Sequence, residues 1–208
     1  MTNNSLPAGF AAAEGQGSQK QKETARFPIY DSFTIFLHWA TVLLVVILYA
    51  LAQIWGLLEK GTPPRHALQS LHVSLGIVLT VVIVARLLWR GGPGRKLPEA
   101  IPGFLGFAAK AVHYLLYAML VAQTVLGWLF RWAQGEILGF FGLFTIPSPF
   151  VFTVAQRQTF GSLHDLLGTL IIIVAAGHAG AALFHHYVCH DGVLVRMLPG
   201  LQKRLTRS

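Results

Sequence analysis

Of the 208 residues, 54% are hydrophobic and only 12% charged, and the mean hydropathy of +0.57 is too apolar for an ordinary soluble domain. The formal charge of +8 comes from basic residues that flank apolar runs and form no patch with interleaved aromatics, which argues against a nucleic-acid partner. The single cysteine, Cys189, leaves no intrachain disulfide and no Cys-based iron–sulfur or structural zinc site.

Residues 1–28 are polar, rich in Gly, Ala, Gln and Lys, and lack the apolar core of a signal peptide; a disordered cytoplasmic tail is expected. Four helices follow in an all-α membrane bundle, over about 32–56, 67–89, 109–132 and 161–187. Each rests on an uncharged run long enough to cross a bilayer. Thr62-Pro63-Pro64 separates the first two, and the Gly-, Pro- and Arg-rich stretch 91–98 separates the second from the third. Residues 137–156 are also uncharged, but Pro147, Pro149, Gly139 and Gly142 would leave backbone groups unpaired in hydrocarbon. An apolar loop over the bundle or in the interface is expected there, not a fifth crossing. Residues 200–208 form a basic tail.

Lys and Arg number three in the N-terminal tail, five in 86–110 and four in the C-terminal tail, against two each in 59–65 and 131–165. The positive-inside rule therefore puts both termini in the cytoplasm. It also assigns depths. His38 and His113 open helices 1 and 3 near the cytoplasmic surface; His72 and His164 open helices 2 and 4 near the external one. His178 lies fourteen residues after His164, about 40° away around the axis and ~21 Å further along it, at the inner level.

Histidines inside hydrocarbon point at partners or cofactors. An outer pair, His72 with His164, and an inner group, His38, His113 and His178, suit bis-imidazole ligation of b-type haem; with no CxxCH motif, covalent haem attachment is excluded. Gly76 and Gly168 each follow an outer histidine by four residues, on the same face, where a flat macrocycle needs clearance; close helix–helix packing through small residues is the other reading.

The segments TIFLHWA, SLHVSLGIVL with ARLLWR, VHYLLYAML, and SLHDLLGTL with GHAGAALFHHYVCHDGVLVRMLP resemble the bacterial cytochrome b-561 family. The similarity covers about residues 27–199 and is nearest to the small four-helix superoxide oxidases, which pass electrons from superoxide to ubiquinone. It implies two haem b groups, the inner held by His38 and His178 and the outer by His72 and His164, in the bacterial inner membrane. The family also contains b-subunits that take electrons from a docked hydrogenase or dehydrogenase, so a redox protein partner is the alternative donor.

The external cations Arg131 and Arg157 would meet the outer haem's propionates or draw superoxide inward, with anchoring at the membrane interface equally open to them. His113 and His185 would supply a hydrogen bond and a proton to the quinone; bonding a propionate or closing a helix end are roles equally open to them. A zinc transporter using these histidines would need intramembrane carboxylates or broken helices, and the four runs contain neither.

Overall fold

The structure, a computed structural model, describes residues 28–101 and 103–201. The expected N-terminal tail and most of the expected basic C-terminal tail lie outside these residues. Four long helices dominate: α1 Ser32–Gly56, α2 Pro63–Gly91, α3 Gly103–Ala133 and α4 Val154–Phe184, the last continuing as a π-helical turn, His185–Cys189. All four are long and apolar enough to cross a membrane.

Local chemistry fixes where these helices begin. Asp31 caps α1 by accepting from the Thr34 amide at 2.9 Å and its hydroxyl at 2.6 Å. Pro63 and Pro64 sit in the first turn of α2, where a missing amide hydrogen costs nothing. α4 starts at Val154, seven residues before the uncharged run suggests, because Thr153 and Gln156 form a capping box. α3 likewise starts at Gly103, six residues before the expected 109, and so includes Lys110, which pairs with Glu99.

α1 packs along α2 and α3 along α4, giving two helical hairpins that meet mainly through α2 and α3. Leu48, Leu79, Ile83, Met119, Leu120 and Ile171 form a buried cluster with a member from every helix, midway along the bundle. It closes the seam at mid-depth and leaves the histidines above and below it.

The 137–156 stretch adds no crossing. It holds a short antiparallel hairpin, β1 Leu138–Phe140 with β2 Phe144–Ile146, in the register Leu138↔Ile146. Phe141 and Gly142 turn it with positive φ of 47° and 75°, the left-handed pair that twisted hairpins demand. Ser74 of α2, 1% exposed, latches it: its hydroxyl donates to the Gly139 carbonyl and accepts from the Phe141 amide at 3.0 Å.

At the opposite end, residues 191–201 fold back under the bundle. The Trp39 indole donates to the Met197 carbonyl, the Tyr30 amide to Arg196, and Arg196 to the Pro98 carbonyl. Val195, fully buried, is the apolar centre of this clasp.

Candidate haem sites between the hairpins

His72 and His164 face each other across the seam at the β-hairpin end, ring centres 6.3 Å apart. Two imidazoles bound to one metal at about 2 Å per nitrogen have ring centres about 6 Å apart. The His72 Nδ1–H donates to the Leu48 carbonyl at 3.0 Å, which fixes the tautomer and leaves the lone pair on Nε2. Trp55 packs edge-on against the same ring, 4.9 Å away.

Both histidines line a cavity of about 650 Å³, within the usual size of a cofactor pocket, together with Gly76, Gly127 and Gly168. A Cβ at Gly127 would come within 3.1 Å of His164 Cε1, one at Gly168 within 3.2 Å of the Gln123 amide, and one at Gly76 would meet nothing within 4 Å. Gly127 escaped the sequence reading, although it lies fourteen residues beyond His113, the spacing that relates His164 to His178.

Among the described residues, three buried side-chain atoms have no hydrogen-bond partner: Gln123 Oε1, Arg131 Nε and His164 Nδ1. All three residues line this one cavity. Unsatisfied polar atoms are rare in folded proteins, so their convergence marks a space shaped for a polar, iron-binding macrocycle. The residues present fit haem b.

At the termini end the arrangement differs. His178 of α4 meets His113 of α3, ring centres 5.0 Å apart. His38 of α1 is engaged elsewhere, its Nδ1 accepting from Arg86 at 3.0 Å. Arg86 also donates to the Tyr117 hydroxyl at 3.0 Å and lies over its ring. Three imidazoles suit haem iron as a donor set, but ligation through His38 Nε2 requires Arg86 to release Nδ1, because a neutral ring accepting there carries its proton on Nε2.

Of the other residues singled out, Arg131 pairs with Glu136 at 2.7 Å, and Arg157 is exposed in the first turn of α4. Arg65 donates to the Trp55 and Leu58 carbonyls at 2.7 and 2.8 Å, closing the C-terminal end of α1. His185 Nδ1 lies 2.5 Å from Asp191 Oδ2, in the turn beyond α4.

The prokaryotic cytochrome b561 family matches residues 29–200. The chain belongs to this family. Cytochrome b561 homolog 2 of Escherichia coli K12 is 32% identical over 81% of the chain and 90% of its own length, and cytochrome b561 homolog 1 of the same strain is 32% identical over 82% and 97%. A probable superoxide oxidase of Yersinia pestis is 29% identical over 82% and 96%. A prokaryotic cytochrome b561 is a haem-b membrane electron-transfer protein of the oxidoreductase type, and the four long apolar helices make this one a multi-pass bacterial membrane protein.

Proposed function

We propose that this cytochrome b561 is a superoxide:ubiquinone oxidoreductase of the bacterial inner membrane, with both termini cytoplasmic and two haem b groups. Two superoxide anions each give up one electron and leave as dioxygen, and one ubiquinone takes both electrons with two cytoplasmic protons to become quinol. Support comes from the convergence of three unsatisfied polar atoms on the His72–His164 cavity, and from similarity to a probable superoxide oxidase.

His72 and His164 would hold the outer haem and His38 and His178 the inner one; the haems supply one-electron transfer. The chain's own residues do the rest. Gly76, Gly127 and Gly168 keep the outer space clear, and Leu48 holds His72 in the ligating tautomer. Arg65, Arg131 and Gln134 line the cavity as donors for carboxylates. Arg86, a cation whether or not it bonds His38, would stay at the inner level, held by the Tyr117 hydroxyl.

At the outer end Lys60, Arg65, Arg131 and Arg157 stand against Glu59, Glu136 and Asp165, and Arg131 is already paired with Glu136. Anion attraction is therefore local to the cavity mouth, and salt should slow the reaction only modestly. At the inner end, His113 lies against His178 and would bond and protonate the quinone, while His185 is held by Asp191 in the turn beyond α4.

The test is direct. Purified haem-loaded protein in detergent, given a superoxide source and ubiquinone, should form quinol with no added partner, and Arg157→Gln should slow haem reduction at unchanged haem content. If superoxide fails to reduce the haems while an added hydrogenase or dehydrogenase reduces them rapidly, the chain is instead the electron-transfer subunit of such a complex.

A further inference from the structure

The turn that ends α4 gathers a second donor set, separate from both histidine levels. The π-helical turn His185–Cys189 places the imidazole and the thiol on one side of the chain, and His190, with a left-handed φ of 54°, then reverses it. The reversal returns Asp191 to the same side. One ligand atom from each of His185, Cys189 and Asp191 lies within 4.8 Å of the others.

The carboxylate is oriented, not merely near. Asp191 Oδ1 accepts from the Val193 amide at 3.1 Å, which leaves Oδ2 directed at His185 Nδ1. The arm beyond it is anchored by buried Val195 and by the bonds from Tyr30 and Trp39 to residues 196 and 197. His185 and Asp191 are half-buried and Cys189 is exposed, so an aqueous ion can reach all three.

We propose that His185, Cys189 and Asp191 bind a thiophilic divalent cation of the zinc class, with the fourth position left to water. Imidazole nitrogen, thiolate and carboxylate together are a borderline-soft set that suits tetrahedral zinc and not calcium or magnesium, which take oxygen ligands. Bonds of about 2.0–2.3 Å put neighbouring tetrahedral ligand atoms roughly 3.5 Å apart, so shifts of about 1 Å close the site. Sequence reasoning excluded only Cys-based centres, and this mixed set depends on the chain reversal at His190. The neighbouring rings are otherwise engaged: His190 Nδ1–H donates to the Val188 carbonyl and His186 packs on Tyr187.

Because Cys189 is the chain's single cysteine, its maleimide labelling rate in the haem-loaded, full-length protein reads the site directly. Added zinc chloride should slow labelling at least about tenfold, since a metal-bound thiolate is withdrawn from reaction. That protection should vanish in Asp191→Asn and His185→Ala and persist in His186→Ala and His190→Ala, with the haem spectrum unchanged in each as the check on folding. Asp191→Asn, nearly isosteric, carries the test if His185→Ala fails to assemble. Absence of protection by zinc overturns the proposal, as does protection that survives Asp191→Asn or that is lost in His190→Ala.

Discussion

The two histidine levels are built from the same side-chain chemistry and are not in the same condition. At the β-hairpin end, His72 and His164 stand 6.3 Å apart beside a cavity, and Leu48 holds one ring ready for a metal. At the termini end, His113 has closed on His178 to 5.0 Å and Arg86 occupies His38. Pre-organisation explains the contrast. A ring whose Nδ1–H bonds a backbone carbonyl, as in His72, has its ligating nitrogen free; His164 Nε2 accepts a 3.3 Å bond from the neutral Gln123 amide, whereas His38 accepts a 3.0 Å bond from a guanidinium, and the charge-assisted bond is the harder to exchange. The first level should therefore bind haem more readily than the second, which has the stronger bond to give up.

Removing ligands breaks that comparison most severely. His72→Ala or His164→Ala should abolish one haem entirely, taking the pyridine haemochrome value from two haems per chain to one. At the second level, His38→Ala and His178→Ala should each remove the other haem, while His113→Ala should retain both. A haem lost with His113 and kept without His38 would reassign the inner ligand to the ring that packs against His178.

A smaller effect sharpens the contrast. Arg86→Gln removes a cation beside the inner ligand, which favours the oxidised, more positive iron, so the inner haem's midpoint potential should fall by some tens of millivolts, on a scale where about 59 mV is tenfold for one electron. The outer haem should not shift, and a redox titration resolving the two bands checks both statements.

The smallest expected effect concerns Asp31, beneath the inner level. Burial alone would raise its pKa, but hydrogen bonds from the Thr34 hydroxyl and amide, the Arg95 amide and the Trp89 indole hold it well below the usual carboxylate range. The stability it contributes is thus present above the unfolded pKa of about 3.9 and is lost as pH falls towards the folded value. Asp31→Ala should cost about 1 kcal/mol near neutral pH by loss of the cap, and the difference from the unaltered protein should shrink below about pH 4 in thermal melts.

Much of this arrangement is legible in the chain, because helix geometry is arithmetic. Fourteen residues between His164 and His178 separate two depths on one face, and alternating helix direction matches His72 to His164 without any coordinates. Helix starts were less legible: uncharged runs put α4 near 161, while the Thr153–Gln156 capping box, visible as T-x-x-Q, starts it at Val154. The β-hairpin could not be foreseen, since its turn carries Phe141 at positive φ and is held from outside by Ser74. Nor could the engagement of His38 by Arg86, which depends on the rotation of α1 against α2 and leaves no mark in either sequence.

The seam between the hairpins bears on how the protein is made. α1 with α2 and α3 with α4 are each well packed, whereas the two pairs touch mainly through α2 and α3, so each pair can enter the bilayer as a finished unit during synthesis. Under the proposed ligation, a haem bonded to both pairs would join them on either side of the mid-depth apolar cluster. Haem supply would then set the protein's lifetime in the cell: starved of haem, the paired helices would stay in the membrane yet part readily, and proteases would clear them before a mature bundle accumulates.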